Sequence, residues 1–590
     1  MKILISFFIM ILSVQNYGQN KSIAKDKIKV LENTAQESIF VHYNSSLFMV
    51  GEYMYYKIYC LNSETNKLSH ISKIAYLELV DKEGERVFKQ KIRLDNGFGQ
   101  GDFFLPVDTR SGNYKLVAYT KWMSNWGQEI FFSDDVIILN PYSNNQRDFL
   151  ESEVSKEDLQ SKSDLRPSNS ALSELNKSPL QLFISKKNYG KRDEVIMEFE
   201  GINSKKIPDG EYSISVRKYS PVFPNQKKTT VDHLESKEIS PPTFDNNITL
   251  PELRGELVTG RVVAKSTDIP LENLKIAFSV PGEDYQLKIA RTDVLGQFHA
   301  NITKPYRSEE ILIQLIDDNV DGLTIELDDF ASPFNSDKVK FESFRLNPEM
   351  NDLILKRSIQ NQIENAYFKV KPDTITSNVN ELNFYGTKGI TYLLDDYTRF
   401  PTIKETVLEI LDNVWLTENK NDKYVFNLRT LNGEFNNSEF TSLLIVDGLF
   451  VKDQDYFINN FSSNSIEQIN IVKEYYRMGS QIFDGIIDIK TFDQNYAALA
   501  SKNDMTALKL NRQTEIKNYF RQSYGNESSK DLERIPDLRQ QLLWLPNFEI
   551  DDTQRITFFT SDLKGDFEIS IEGFTHTGKP VSILDTITVE

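Results

Sequence analysis

The sequence predicts a mainly β, multidomain chain of immunoglobulin- or macroglobulin-like sandwiches with one small α+β module. Its 590 residues exceed the ~250–300 that one core supports. Hydrophobic residues make up 39% and aromatic residues 12% of the chain, enough for several cores. Apolar and polar residues alternate along Glu211–Lys218 and Phe567–Glu572. This alternation is typical of antiparallel strands that bury one face and expose the other.

Composition excludes several classes of function. The net charge of −18 argues against a nucleic-acid binder, which presents a basic face to phosphates. Cys60 is the single cysteine of the chain, so neither an intrachain disulfide nor a Cys-rich zinc site can form.

The N-terminus has the pattern of a signal peptide at residues 1–19. Lys2 precedes the apolar run Ile3–Val14, which is too short to span a bilayer, and cleavage is expected after Gly18 or Gln19. The alternative is a buried N-terminal helix or strand. The single cysteine, Cys60, lies too far beyond the run to be acylated, so we expect an exported chain without a lipid anchor or a transmembrane segment of its own.

Composition shifts divide the rest of the chain. Tyr76–Leu94 is predicted to be a hairpin that turns at Asp81–Gly84. The predicted order is a first sandwich (25–142), a polar linker (143–177), a second sandwich with a Pro-rich linker (178–250), a third sandwich (252–345), an α+β module (380–495), a polar and weakly helical connection (496–539) and C-terminal strands (540–590).

Four segments resemble known families. Gly97–Trp126 resembles a macroglobulin-type (MG2) sandwich of large exported proteins of Bacteroidota, and Leu257–Ile302 resembles the carboxypeptidase regulatory-like sandwich. Ser442–Thr491 resembles the plug of TonB-dependent outer-membrane receptors, and Trp544–Gly573 resembles the macroglobulin-like strands that accompany such plugs. The resemblance implies a protein that works at the outer membrane.

The chain departs from these families in two ways. A receptor plug is followed by a barrel that needs about two hundred residues or more, whereas about 95 residues follow the plug-like segment here. The chain is therefore not predicted to be a transporter itself. The reactive Cys-Gly-Glu-Gln thioester of complement-like macroglobulins is also absent, which excludes a covalent protease trap.

No catalytic motif is found. The five histidines lack zinc-peptidase spacing, and no nucleophile elbow, phosphate loop or dinucleotide fingerprint appears. We therefore predict no catalytic residue, no cofactor and no metal ligand. The alternative is an exported enzyme or substrate-binding protein with an unrecognised site on the sandwiches.

One segment has the spacing of a calcium loop. Asp317–Gly322 places oxygen ligands at positions 1, 3 and 5 and glycine at position 6, but position 12 is Asp328 rather than glutamate. The flanks Ile311–Ile316 and Leu323–Leu327 favour strands, so a hairpin is the preferred interpretation and calcium binding stays open.

Aromatic clusters are the remaining candidates for function. For Tyr53–Tyr59 we predict core packing, whereas Tyr475 and Tyr476 are equally compatible with a core and with a partner interface. We expect a non-enzymatic scaffold subunit of an outer-membrane β-barrel complex (import, barrel-assembly or secretion machinery), on the periplasmic or cell-surface side. The candidate partner contacts, chosen because they lie between predicted strands, are Asp447, Gly448, Phe450, Tyr475, Tyr476 and Arg477.

Overall fold

The computed structural model describes most of the chain. The described residues are 33–143, 178–202, 207–219, 227–239, 248–266, 269–282, 284–317, 321–376, 384–386, 389–429, 440–500, 505–511, 513–525, 530–548 and 555–590. The predicted signal peptide, linker residues 144–177 and much of the Pro-rich linker lie outside them. The fold is mainly β, as the sequence predicts, and consists of many small sheets.

The first sandwich has a core of alternating apolar residues from two sheets. One sheet has the order β1-β3-β6 and the other β2-β8-β7-β4-β5. Strands β4 and β5 form the predicted hairpin. The strands are β1 (Glu37–Tyr43), β2 (Leu47–Met49), β3 (Tyr53–Asn62), β4 (Ile74–Val80), β5 (Arg86–Arg93), β6 (Phe98–Phe104), β7 (Gly112–Tyr119) and β8 (Phe132–Leu139).

The second segment supplies four strands and a short helix, and the third supplies six strands. The second contains β9 (Leu180–Ile184), β10 (Asn188–Tyr189), β11 (Glu194–Gly201), β12 (Gly210–Lys218) and α1 (Thr230–Glu235). The third contains β13 (Glu256–Ala264), β14 (Lys275–Val280), β15 (Gln286–Arg291), β16 (Gln297–Ile302), β17 (Glu310–Leu315) and β18 (Leu323–Leu327).

The predicted hairpin across Asp317–Gly322 is wrong. Strand β17 pairs with β14, whereas β18 pairs with β13 in the opposite sheet of the third sandwich. The connection therefore crosses from one sheet to the other. Asp317 accepts a hydrogen bond from the backbone N–H of Lys275 at 2.6 Å, while residues 318–320 lie outside the described part.

The α+β module has one mixed sheet with two helices on one face. The helix α2 (Asn351–Ala366) and the strand β19 (Thr374–Ile375) precede the module. Its elements are β20 (Ile390–Leu393), α3 (Ile403–Glu409), β21 (Val414–Glu418), β22 (Tyr424–Leu428), β23 (Leu443–Val446), β24 (Leu449–Phe450), α4 (Gln454–Asn460), β25 (Ile466–Val472), β26 (Tyr476–Met478), β27 (Gln481–Phe483) and β28 (Ile486–Thr491). The sheet order is β20-β25-β28-β23-β24, with β23 and β28 parallel.

The C-terminal hundred residues complete sheets that begin earlier in the chain. Strand β29 extends the sheet β15-β14-β17, so the predicted polar, weakly helical connection contributes a strand to the third sandwich. The elements are α5 (Tyr496–Leu499), β29 (Met505–Lys509), β30 (Lys517–Asn518), α6 (Lys530–Glu533), β31 (Gln541–Leu545), β32 (Arg555–Phe559), β33 (Gly565–Thr575) and β34 (Pro580–Val589).

The C-terminal strands are not a separate unit. They combine with β9–β12 in the sheets β10-β34-β33-β12-β31 and β32-β11-β9. Ile214 and Val216 share one hydrophobic core with Phe567 and Ile571. The sequence-based division placed residues 178–250 and 540–590 in different domains, and strand pairing corrects that boundary.

Buried ion pairs join the first sandwich to its neighbours. Glu52 accepts hydrogen bonds from Arg217 of the second sandwich and from Arg357 of α2, with the closest contact to each at 2.7 Å. Glu252 pairs with Lys121 at 3.1 Å, where the third sandwich meets the first. Charges buried without water need such fixed partners, so these contacts define one arrangement of the modules. Within the described ranges, no helix has the length and apolar character needed to cross a bilayer.

Candidate partner-binding surface

The β26–β27 hairpin separates an inward face from an outward face. Tyr476 lies opposite Phe483, and both point inward together with Met478. The hydroxyl of Tyr476 donates a hydrogen bond to the carbonyl oxygen of Phe384 at 3.1 Å. Because side chains alternate along a strand, Arg477 and its cross-strand neighbour Ile482 point outward.

The outward face carries an exposed aromatic and cationic surface. Tyr475 is 47% exposed and Ile482 is 37% exposed. Phe440, also partly exposed, lies against Tyr475 with their ring centroids 6.5 Å apart. Arg477 is exposed and donates from Nε to the carbonyl oxygen of Gly479 at 3.3 Å. We name Phe440, Tyr475, Arg477 and Ile482 the hairpin patch.

The hairpin is held against the third sandwich at its turn. Gly479 has φ of +58°, and a Cβ there would lie 2.4 Å from the carbonyl oxygen of Ile289, so only glycine fits. Arg291 donates to the carbonyl oxygen of Ser480 at 3.4 Å. The hairpin patch is therefore displayed from a turn that packs on strand β15.

Three of the candidate contacts are buried in an intramolecular interface. Asp447 is buried, and its carboxylate accepts hydrogen bonds from the backbone N–H groups of Thr491 and Tyr496 at 2.7 and 3.1 Å. Gly448 has φ of +81°, and an added Cβ would lie 2.2 Å from Cβ of Tyr285. These residues close the module onto the third sandwich.

Phe450 belongs to the same interface. It is only 5% exposed, its N–H donates to Ser279 Oγ at 3.1 Å, and its carbonyl oxygen accepts from Gln314 at 2.8 Å. Asp447 and Gly448 lie in the connection between β23 and β24, as expected, whereas Phe450 lies in β24. The expectation that these three residues contact a partner is wrong, because β14 and β17 cover this end of the sheet. Of the six candidates, the structure leaves Tyr475 and Arg477 well exposed and Tyr476 partly buried.

A second polar contact closes the same interface. The carboxylate of Asp488, on the central strand β28, accepts hydrogen bonds from Tyr285 and from Tyr385, each at 2.6 Å. Burial raises the pKa of Asp488 to about 6. The module and the third sandwich are thus joined by a buried carboxyl group as well as by apolar packing.

The tyrosines of β3 pack in the core and at contacts between modules. Tyr56 and Tyr59 are fully buried, as the predicted core packing requires. Tyr55 instead stacks on Trp544 of β31 with centroids 6.0 Å apart, and Tyr53 stacks on Phe368 beyond α2 at 5.7 Å. The outer face of the first sandwich is therefore an interdomain contact.

Among the described residues, a serine–histidine pair is a candidate catalytic arrangement. Ser213 Oγ and His42 Nδ1 are 2.7 Å apart between the first two sandwiches. Both residues are buried, and burial lowers the pKa of His42 well below its ordinary value. Ser213 Oγ is also 2.9 Å from the hydroxyl of Tyr59. This geometry is that of a polar contact inside a module interface rather than of a nucleophile facing a substrate.

A small cleft lies beside this pair, between β1, β33, β34 and residues 227–229, which precede α1. Its volume is about 80 Å³, which is room for a few water molecules. Glu572 lines it and accepts hydrogen bonds from the N–H and hydroxyl of Thr230 at 2.9 and 2.8 Å and from the hydroxyl of Ser582 at 2.7 Å. Among the described residues, no group of three or more His, Cys, Asp or Glu side chains could hold a metal ion.

Two members of the hairpin patch were missed by sequence reasoning. Ile482 reads as an ordinary apolar strand residue, and Phe440 follows a stretch without periodicity. The exposure of Ile482 could have been predicted from strand alternation on both sides of Gly479. Alternation places residues 477 and 482 on the face opposite the apolar pair Tyr476 and Phe483. Only the fold brings Phe440 next to Tyr475.

Comparisons with known proteins show distant structural neighbours. No family model and no curated protein sequence matches the chain. An α-2-macroglobulin of Salmonella aligns with 94% of this chain and 40% of its own, at 8% identity and a TM-score of 0.22. Escherichia coli α-2-macroglobulin activated by porcine elastase aligns with 94% and 44%, at 9% identity and a TM-score of 0.22. Dimeric latent PorU of Porphyromonas gingivalis aligns with 50% and 33%, at 8% identity and a TM-score of 0.16. The chain spans less than half the length of each of these solved proteins.

Proposed function

We propose that this protein is an exported, non-enzymatic scaffold subunit that binds an outer-membrane β-barrel complex of the import, barrel-assembly or secretion type. The observation that carries the proposal is the hairpin patch: an exposed tyrosine, arginine and isoleucine on a hairpin whose other face is packed in the core. Tyrosine and arginine are the residue types that most often dominate binding energy in protein interfaces.

Rigidity supports a binding role. The hairpin is fixed by Gly479 against Ile289, and the module beneath it is fixed by Asp488 and by Phe450. A surface that is already ordered loses less conformational entropy when a partner binds, so more of the contact energy appears as affinity.

The location rests on features of the sequence. The signal-peptide pattern at residues 1–19 implies export, and Ser442–Thr491 resembles the plug of an outer-membrane receptor. A receptor plug acts together with a β-barrel, so a β-barrel protein is the expected partner of a plug-like module. The net charge of −18 favours a partner with a basic surface, mainly by increasing the rate of encounter.

Substitutions in the hairpin patch test the proposal better than removal of the module. Deleting residues 380–495 would uncover the apolar side of β14 and β15, which packs on the sheet through Ala277 and Leu287. The variants Tyr475→Ala and Arg477→Glu change exposed side chains only. The matched control is Leu408→Ala, because Leu408 is 81% exposed on α3 of the same module.

The experiment measures how much of each variant is retained by outer-membrane fractions, followed by crosslinking and identification of the captured protein. We expect wild type and Leu408→Ala to capture the same β-barrel protein and each patch variant to bind about tenfold more weakly, corresponding to about 1.4 kcal/mol. If both patch variants were retained fully, the hairpin patch would not be the surface that binds the partner. A wild-type protein that captures no membrane protein would refute the function itself.

A further inference from the structure

The outer strand of the plug-like sheet has an open edge. Strand β20 pairs in register with β25 through four residue pairs, from Ile390–Ile471 to Leu393–Gln468. No other described strand pairs with β20. An edge strand presents unpaired N–H and C=O groups to its surroundings, and about two of each in a strand this short point outward.

Strand β20 is nonetheless fixed in place. Tyr392 is buried among the helices, and its hydroxyl accepts a hydrogen bond from the N–H of Asp412 at 3.2 Å. The hydroxyl of Thr391 lies 3.2 Å from the side-chain oxygen of Asn470 on β25. The open edge is therefore already extended and aligned for a further strand.

Several other edges in this chain are covered or charged. On the opposite side of the same sheet, β24 is covered by Ser279 and Gln314 of the third sandwich. The outer edge of β22 is occupied by side chains of Gln454 and Asp455, which accept hydrogen bonds from its N–H groups. The edge strand β5 of the first sandwich carries four basic side chains: Arg86, Lys89, Lys91 and Arg93. Natural sheets use such devices to prevent unwanted strand pairing.

Among the residues that the structure describes, none gives strand β20 such a protection. Its sequence is Ile-Thr-Tyr-Leu, without a charge, a proline or a bulge. Ile390 is 43% exposed and Leu393 is 46% exposed, and because they are three positions apart along the strand they lie on opposite faces of the sheet. An added strand would cover one apolar side chain on each face.

We propose that β20 accepts an extended segment of the partner as a sixth strand of this sheet. Strand addition satisfies the unpaired backbone groups and selects side chains through alternate positions. Asp395 and the exposed Asp396 follow the strand, and Arg399 pairs with Asp395 at 2.6 Å. The remaining negative charge, with the net charge of −18, favours a segment that carries lysine or arginine.

This inference rests on the proposed function for the location of the partner, but the strand addition is tested without any membrane protein. The probe is a phage-displayed library of random twelve-residue peptides, panned against the full mature protein. Peptides are counter-selected on the double variant Ile390→Lys, Leu393→Lys, which installs charges on the edge. The matched control is Leu408→Lys, since Leu408 lies on α3 and not at the edge.

We expect enriched peptides that are rich in β-branched residues and contain lysine or arginine. The double variant should weaken their binding at least tenfold, whereas Leu408→Lys should bind as wild type does. Hydrogen exchange on the wild-type protein gives a second measurement that does not depend on how a variant folds. Bound peptide should slow exchange of the amides of Ile390–Leu393.

Three results would overturn the inference. The first is enrichment of no peptide that distinguishes wild type from the double variant. The second is peptide protection elsewhere, at the hairpin patch or at the edge of β21. The third is protection of β20 that depends on protein concentration alone, which would identify a second copy as the occupant. A protein that binds peptides at β20 but captures no membrane protein would contradict the proposed function and leave strand addition supported.

Discussion

Replacing Glu572 by glutamine should remove a pH dependence from the stability of the first two sandwiches. Glu572 is 5% exposed and accepts hydrogen bonds from Thr230 and Ser582. Burial raises the pKa of its carboxyl group from 4.5 to about 7. Glutamine keeps the shape and the acceptor, and its amide group can donate to Ser582, so Glu572→Gln imitates the protonated acid.

The sign follows from proton linkage. Below pH 4.5 both folded and unfolded chains carry the protonated acid, and between pH 4.5 and 7 only the folded chain holds the proton. The free energy of unfolding therefore falls as the pH rises through this window. The difference between a pKa of 4.5 and one of about 7 corresponds to about 3 kcal/mol. Glu572→Gln should be more stable than wild type at pH 8 by up to about 3 kcal/mol and nearly equal to it at pH 4.

The assay is denaturant unfolding followed by tryptophan fluorescence, since Trp122, Trp126 and Trp544 lie in these two sandwiches. The control is Glu198→Gln, an exposed partner of Arg555 in the second sandwich, for which we expect a change below about 1 kcal/mol. The reasoning is refuted if Glu572→Gln retains the wild-type pH slope between pH 4 and 8.

Three further substitutions probe the contacts between modules. Glu52→Gln leaves the buried Arg217 and the partly buried Arg357 without their carboxylate and should lower the free energy of unfolding by about 3–5 kcal/mol, measured by the same denaturant assay. Asp488→Asn removes a carboxyl group whose pKa burial raises to about 6. The opening free energy of the β23 amides, obtained from exchange rates corrected for the intrinsic rate at each pH, should therefore lose its decrease between pH 4 and 6; an unchanged pH profile of this free energy would contradict the prediction. Gly448→Ala forces a left-handed φ and a contact with Tyr285, so it should accelerate proteolysis of the α+β module, whereas wild-type cleavage rates would exclude the interface.

Local sequence determined much of the secondary structure. Alternation along Glu211–Lys218 and Phe567–Glu572 predicted two strands, and both are present as β12 and β33. The Asp81–Gly84 turn predicted the β4–β5 hairpin. These signals are local because a strand's period of two and a turn's backbone geometry are properties of consecutive residues.

The sequence predicted only some of the exposed residues of the candidate surface. Tyr475 and Arg477 were selected as residues of an irregular connection, and both are exposed. Asp447 and Phe450 were selected on the same ground and are buried. A connection between strands is exposed only if no other module covers it, and the cover here comes from the third sandwich, more than a hundred residues earlier in the chain.

The tertiary structure alone decided which strands are neighbours. Strands β17 and β18 follow each other closely yet lie in opposite sheets, whereas β12 pairs with β33 across some 350 residues of chain. The alternation of apolar and polar residues indicates that a strand has one buried face. It does not indicate which strand lies beside that strand or which module covers its buried face. Those choices depend on how all the apolar faces of the chain are buried together, and no single segment contains that information.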